Sequence, residues 1–590
     1  VGCAGPRPPS YSSRCSGPRE APPAQELSSS DRRGSVSSEG PASEQPRLGS
    51  GGDSMCRSSS SERRPDRRYT RQFSTHIFVT ERDMEITRRY ELHPQAIGGG
   101  AYGQVFLATD RTFKERKVAV KKLMRHDEEA AEALRQEVGI MKALDHPSIC
   151  KLFETYSHEN AMFFVMEHLE GGDLSTRIVE RRNLDELTCA YIILQCSGAL
   201  RYAHDRGIAH RDMKPENVCF CSADPSNHRI KVVDWGLGKH FEQTRMKSSV
   251  GSIAFCAPEV LAPPVEGHYT AACDLWSLGV TAYTCLSGKA PFWGSPIDML
   301  AKMQREEYPL KGKIWDTVSE SAKDFIIRLL KANPEERLCG NNLLQHSWLV
   351  SDEEQPFVPL AREIFVQVLS NVERFSHAPE LLSICVASVA KQLDHRSLDN
   401  LYRVFCRLDL DGDGILVLDE VKAGFVEVYG EDSVEVNHVD EMFTRLDLDG
   451  TGKITYTEFC AAGIGEGRYT QEQVLWSAFK SFDLSDTGRI TQEDIAKVLS
   501  TADVHQVWSK AVCENVAQQV DGPIDFATWL NLMRACAVQH SAETPKRTRS
   551  LESEEAYCRL SRVPSLREGG GQSGSFFLHP VAQGNSGSGS

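Results

Sequence analysis

The sequence predicts an α+β domain of two lobes followed by an all-α domain of helix–loop–helix repeats, with a disordered tail at each end. Apolar residues alternate from Gln95 to Thr109 around a glycine cluster, the period of paired strands. A loop at His210–Asn217 collects several reactive side chains at a spacing that a single reaction demands. Beyond residue 400 an acidic loop pattern appears at Asp409 and recurs 38 residues later at Asp447.

Composition bounds the reading. The 590 residues give room for roughly three or four domains, and 40% apolar with 25% charged residues is ordinary for a chain that buries cores. A net charge of -15 argues against nucleic acid as a partner, because phosphate backbones are held by clustered positive surface. The 18 Cys lack paired metal-ligand spacing and no secretory signal is seen, so reduced thiols and a cytoplasmic location are expected. No apolar run is long enough to span a bilayer.

Residues 1–75 are rich in Ser, Pro, Gly and Arg and cannot bury enough apolar surface to offset ordering entropy, so a disordered arm is expected. Within it Gly2-Cys3 would suit an acyl anchor and peripheral membrane attachment if Val1 stood in place of an initiator Met. Pro6 falls where such a signal prefers Ser or Thr, which favours plain disorder. Arg32-Arg33-Gly34-Ser35 has the form of a basic phosphorylation site.

Next, Gly98-Gly99-Gly100-Ala101-Tyr102-Gly103-Gln104-Val105 forms a hairpin whose backbone can close over phosphates. The following strand, Val118-Ala119-Val120-Lys121, places a Lys that needs a partner, and Glu137 on the next helix can supply it while Lys121 reaches phosphate oxygens. Met162–Met166 reads as a buried strand leading to a connection at Glu167-His168-Leu169. In His210-Arg211-Asp212-Met213-Lys214-Pro215-Glu216-Asn217, Asp212 can accept the proton of an incoming hydroxyl and Lys214 can neutralise a moving phosphoryl group. Asn217 and, after the strand Arg229–Val233, Asp234 are the expected Mg2+ ligands. Ala257-Pro258-Glu259 closes the segment, Arg337 in a later helix is the expected partner of Glu259, and Asp274 begins an anchoring helix.

Taken in order over residues 90–348, these motifs resemble the eukaryotic protein kinase domain. The resemblance implies an ATP site formed by Ile97, Gly98, Gly100, Gly103, Val105, Ala119, Lys121, Glu137, Met166, Glu167 and Leu169, with Met166 controlling access behind the adenine. Lys214 resembles the serine/threonine type, and Asp173 with Glu216 resembles an acidic pair that receives Arg ahead of the phosphorylated residue. Protein substrates with Ser or Thr near basic residues follow as an expectation. Trp235 replaces the usual Phe after Asp234, which puts inactive-state packing in doubt more than chemistry. Ser248 sits where many kinases carry an activating phosphate.

Residues 349–398 contain two amphipathic helical patterns, Ile364, Phe365, Val368, Leu369, Val372, Phe375 and then Leu381, Leu382, Cys385, Val389, Leu393. They pack within a neighbouring domain or act as a regulatory helix that an apolar groove can take up. In residues 399–538, the loop 409–420 offers Asp409, Asp411, Asp413, Ile415 and Glu420 at the positions of seven-oxygen Ca2+ coordination. The loop 447–458 repeats it with Asp447, Asp449, Thr451, Lys453 and Glu458, and 483–494 offers Asp483, Ser485, Thr487, Arg489 and Asp494. The third loop has one fewer acid and a shorter last ligand, so weaker Ca2+ binding or Mg2+ occupancy is expected. A fourth unit near 517–528 has Ala517 and Thr528 at its end-ligand positions and reads as structural, paired with the third.

Residues 75–538 therefore resemble a calcium-dependent protein kinase of the plant and apicomplexan type, a bilobal kinase followed by a calmodulin-like EF-hand domain. The resemblance implies ATP, Mg2+ and Ca2+ as cofactors, a monomer, and a junction that blocks the kinase until calcium opens the hands. This junction is only sparsely basic, so the inhibitory contact does not carry over. Two other readings stay open: a catalytically weak calcium-sensing scaffold, and a kinase controlled mainly by activation-segment phosphorylation. Residues 539–590 return to Ser, Gly and Arg as a solvated tail with a phosphorylation-type site at Arg547-Thr548-Arg549-Ser550.

Overall fold

The computed structural model describes residues 78–100, 103–235, 239–240, 253–263, 270–350, 360–378, 380–448, 450–465, 471–499, 522–531 and 533–534. Ala101, Tyr102, Gly236, Ser248, Asp449 and Ala517, with both terminal arms, lie outside them.

The small lobe is a sheet of six strands in the order β1-β5-β6-β4-β3-β2. These are β1 (Thr80–Arg82), β2 (Tyr90–Gly100), β3 (Gly103–Asp110), β4 (Lys117–Met124), β5 (Leu152–His158) and β6 (Ala161–Glu167). Strand β1 runs parallel to β5 and lies outside the 90–348 segment marked by the motifs. The register sets one face of the site. Val105 pairs with Lys121 across β3 and β4, and Ala119 pairs with Met166 across β4 and β6. Because side chains alternate along a strand, these four residues share a face. Helix α1 (Glu128–Ala143) is capped by Asp127, whose Oδ1 accepts from Ala130 N at 2.7 Å, and it turns Glu137 toward the sheet.

The large lobe is built on the buried helices Glu186–Asp205 and Ala272–Ser287. Trp276 is fully buried and stacks on Phe292 with centroids 5.5 Å apart, and burying a side chain of this kind stabilises by about 1.5–3 kcal/mol. At Gly279 a Cβ would meet Leu329 Cβ at 2.8 Å, so glycine lets the helix Glu320–Leu329 approach. Gly103 is equally constrained: its φ is +143° and a Cβ would lie 2.4 Å from Lys122 O.

The two amphipathic patterns form helices Arg362–Phe375 and Glu380–Gln392. Phe365, Val368, Leu369, Val372 and Phe375 of the first, with Leu382, Cys385, Val389 and Leu393 at the second, are buried in one core with the helix–loop–helix units. The first two loops are tied by reciprocal Leu416–Ile454 backbone hydrogen bonds of 2.9 Å. The third pairs with the fourth segment, Arg489 opposite Asp525 and Ile490 opposite Ile524. Phe78, just before β1, is buried in the same core with its ring 6.2 Å from Phe482.

Candidate functional site

The cleft between the lobes gathers the residues singled out by the motifs. Lys121 Nζ lies 3.0 Å from Glu137 Oε1 and 2.7 Å from Asp234 Oδ1. Burial works against the Lys121 charge, but Glu137 and Asp234 outweigh it and raise its pKa, so a cation stands in the cleft. Burial likewise opposes the Asp234 carboxylate, and Lys121 reverses the balance and keeps it ionised. In the catalytic loop Lys214 Nζ donates to Asp212 Oδ2 at 2.6 Å, and Asn217 Nδ2 donates to Asp212 O at 2.8 Å and Oδ2 at 3.1 Å. The Asn217 amide nitrogen is thus committed to the loop, leaving its oxygen as the group for a cation.

The loop backbone is held from below. Asp274, fully buried, accepts from His210 N at 2.8 Å, Arg211 N at 2.7 Å and His204 Nε2 at 2.8 Å. Arg211 and Asp234 have φ of +70° and +63°, strained values for non-glycine residues that this support maintains. Trp235 is fully buried, edge-on to His210 with centroids 4.6 Å apart, and its Nε1 donates to Val232 O at 3.4 Å. The larger indole is therefore absorbed while Asp234 still meets Lys121. Arg337 makes a two-pronged pair with Glu259 at 2.6 and 2.8 Å. It sits just past the short turn Pro334–Glu336 instead of within a helix, because Pro334 starts a single 3₁₀ turn that does not propagate.

Ile97 is 53% exposed above this face, and a Cβ on Gly98 would meet nothing nearer than 3.9 Å. Here, unlike Gly103, the fold does not demand glycine. Met166 and Leu169 are half-buried at the cleft's back and connection. Asp173, read as half of an acidic pair with the exposed Glu216, also caps the helix Leu174–Arg181 by accepting from Thr176 N and Oγ1, each at 2.8 Å. These donors fit ATP with a divalent cation: a lysine for phosphate, two oxygens for the metal and an aspartate for the acceptor hydroxyl.

Sequence reasoning missed how the connection is gripped from behind. The buried Glu167 accepts from His395 N at 2.5 Å and from His395 Nδ1 at 3.0 Å, and lies 3.2 Å from Lys231 Nζ. Lys151 Nζ donates to Ala390 O at 3.1 Å and Leu393 O at 3.3 Å, while Arg229 stacks on Tyr402 at 3.7 Å. The six-residue connection 393–398 after the second junction helix thus rests against the edge of the ATP site. Lys151, Arg229, Lys231 and His395 are scattered along the sequence, so no local pattern signals this contact.

Three loops offer oxygens for Ca2+. In the first, carboxylate oxygens of Asp409, Asp411 and Asp413 lie within 4.8 Å of one another. Asp409 Oδ1 is buried with no hydrogen-bond partner. Burial, then the charges of Glu420 and Asp413, push the Asp409 carboxyl well above the usual range. A hard cation relieves both penalties, so this loop fits Ca2+. Glu420 closes the loop, accepting from Leu410 N at 2.8 Å and Val417 N at 3.0 Å. The second loop repeats that closure through Glu458, with Leu448 N at 3.0 Å and Thr455 N at 2.8 Å; Thr451 N donates to Asp447 Oδ1 at 2.9 Å and Thr451 Oγ1 donates to Lys453 O at 3.1 Å. The third differs: Lys480 Nζ donates to Asp483 Oδ2 at 2.8 Å and also reaches Asp486. Ser485 and Thr487 hydroxyls lie 3.3 Å apart, Thr487 Oγ1 donates to Arg489 O, and Asp494 Oδ2 accepts from Thr491 N at 2.9 Å. Its first ligand already has a cation, so this loop does not fit Ca2+ as the first two do.

Fold and cleft define a protein kinase joined to a calcium-binding module. Residues 92–349 match the protein kinase domain family, and residues 398–462 match the EF-hand domain pair family. The chain is 32% identical over 475 residues to calcium-dependent protein kinase 3 of Plasmodium berghei (strain Anka), covering 78% of this chain and 83% of that protein. It is 30% identical to calcium-dependent protein kinase 5 of Plasmodium falciparum (isolate 3D7), over 76% and 78% of the two chains. It is 29% identical to calcium-dependent protein kinase 19 of Arabidopsis thaliana, over 78% and 82%. The chain belongs to the calcium-dependent protein kinase family and is a serine/threonine protein kinase.

Proposed function

We propose that this kinase transfers the ATP γ-phosphate to Ser or Thr of proteins, near basic residues, when Ca2+ loads the hands and the junction leaves the catalytic cleft. ATP with Mg2+ supplies the phosphoryl group and the charge that neutralises its oxygens; Asn217 and Asp234 would hold the metal. Lys121, fixed between Glu137 and Asp234, anchors phosphate oxygens. Asp212 orients the acceptor hydroxyl and takes its proton, and Lys214 balances the charge that builds beside it. Asp274 keeps the loop backbone still, so these groups need no rearrangement during transfer.

The observation that carries the regulatory reading is the burial of both junction helices in the EF-hand core, with the following turn bound behind Glu167. The side chains of Asp212, Lys214 and Asn217 are hydrogen-bonded among themselves, which suits a catalytic loop that the junction has left. At resting calcium the hands would lose their grip on those apolar faces and the junction would return to the kinase. Such a switch from 1:99 to 99:1 needs about 10^4-fold differential binding. We further propose a monomer located in the cytoplasm, with membrane contact only if Gly2 or Cys3 is acylated.

The test is phosphorylation of a basic Ser peptide by the full chain at constant Mg2+, in chelator and across micromolar Ca2+. A steep rise abolished by Glu420→Gln with Glu458→Gln supports gating. Equal activity under both conditions would move control to the activation segment, and inactivity under both would favour the scaffold.

A further inference from the structure

We propose that the third EF-hand is not a calcium sensor: the Lys480 ammonium stands where the ion's charge would be, and the hand serves as a calcium-independent clamp on the small lobe through Arg82. The proposal rests on the reading above that calcium acts through the hands, and it assigns that sensing to the first two.

Two departures outside the ligand set carry the inference, and they meet in space. Three residues before the first ligand, the first and second hands have Cys406 and Thr444, whereas the third has Lys480. That residue sits on the last turn of the helix Glu472–Phe482, one turn before Asp483, where side chains three apart face each other. Its Nζ is 2.8 Å from Asp483 Oδ2. At the fourth loop position, the first and second hands have Gly412 and Gly450 with φ of +72° and +65°. The third keeps the same left-handed backbone at Asp486, φ +52°, where a side chain is strained. Asp486 uses that side chain to take a second hydrogen bond from Lys480 Nζ. A lysine and an aspartate found in neither other hand therefore close on each other across the loop entrance.

Burial makes the pair hard to open. The Lys480 side chain is 9% exposed and that of Asp483 is fully buried. Ca2+ entry would have to displace a tethered ammonium into a poorly solvated space, at a loop whose remaining donors are hydroxyls, a backbone carbonyl and the short Asp494. In the first hand the corresponding oxygen, Asp409 Oδ2, accepts only the backbone N–H of Gly414 at 3.0 Å among the hydrogen bonds of the described residues, and Asp409 Oδ1 has no partner to give up.

The outer face of the same loop is held by the kinase. Arg82 of β1 donates to Lys480 O and, at 3.3 Å, to Asp483 O, carbonyls at the helix C-terminus that attract a cation. The same guanidinium donates from Nε to Glu154 Oε2 at 3.3 Å, inside a buried network with Arg89, Tyr90 and Tyr156. Phe78 on Phe482 adds an apolar contact beside it. Backbone carbonyls persist whether or not an ion is present, so this attachment does not require calcium. With the third hand withdrawn from sensing, each of the two remaining hands must favour the active arrangement by roughly a hundredfold.

The experiment is calorimetric titration of the full chain with CaCl2 at constant Mg2+, comparing wild type, Asp483→Asn, Lys480→Met and Glu420→Gln with Glu458→Gln. We expect about two equivalents for wild type, the same count for Asp483→Asn, and a third, weaker equivalent once Lys480 is removed. Three equivalents in wild type, one of them lost in Asp483→Asn, would overturn the proposal. Failure of Lys480→Met to gain a site while it stays folded would overturn the role of the ammonium. If the paired Glu variants leave the count unchanged, the calcium-sensor reading of the first two hands fails instead, and the Asp483→Asn arm still decides the third.

Discussion

The first and third hands share the loop geometry, the glycine at the sixth position and an aspartate at the first, yet their electrostatics are opposed. Asp409 is buried among Asp411, Asp413 and Glu420 with an oxygen unpartnered, a concentration of like charge that only a cation resolves. Asp483 is more deeply buried and meets Lys480. The ligand pattern alone therefore does not decide whether a loop binds an ion. The residue one turn ahead of it, and the fourth loop position, can decide the matter from outside the ligand set.

The largest expected effect comes from removing the bidentate closures of the sensing pair. Glu420→Gln with Glu458→Gln should abolish calcium stimulation of peptide phosphorylation, a loss of about 10^2-fold or more at micromolar Ca2+ given the span of the switch. Next is the clamp. Arg82→Ala leaves Glu154 short of a buried partner and should lower unfolding stability by about 3–5 kcal/mol, measured by denaturant titration in chelator, with the same loss in calcium. A loss confined to the calcium-loaded state would mean the third hand depends on the ion after all.

Acid should weaken the clamp over a defined window. Burial alone would raise the Glu154 pKa, but Arg89 and Arg82 outweigh it and hold it at about 2, against an ordinary 4.5. A carboxylate depressed on folding stabilises fully above its unfolded value, and that contribution is lost as pH falls from 4.5 toward 2. Wild type should therefore lose stability across that interval more steeply than Glu154→Gln; parallel curves would contradict the pairing. The smallest effects are expected where the structure shows the change already absorbed. Trp235→Phe should leave the phosphorylation rate within a few-fold, since the indole is buried while Asp234 still meets Lys121.

Much of this was legible in the sequence, for a physical reason. Phosphoryl transfer needs a base, a phosphate cation and metal ligands at fixed separations, so Lys121, Asp212, Asn217 and Asp234 announce themselves by spacing. Calcium loops do the same with alternate oxygens. What stayed hidden depends on chain segments meeting from far apart. Arg82 contacts Glu154 from 72 positions away and Asp483 from 401, and nothing in the local pattern of either flags the other. His395 against Glu167, 228 positions apart, is hidden in the same way. Lys480 and Asp486 are intermediate: both departures stand in the sequence, but only the left-handed backbone at Asp486 and the burial of the pair give them meaning.

The most direct measurement is a pair of calcium-activation curves for phosphorylation of a basic Ser peptide, one for Glu420→Gln and one for Asp494→Asn, each against wild type. The account predicts that Glu420→Gln moves the calcium midpoint upward by about tenfold or more, while Asp494→Asn leaves it within about twofold. Equal shifts in both would contradict the division into sensing and clamping hands, and a flat curve for wild type would contradict calcium gating itself.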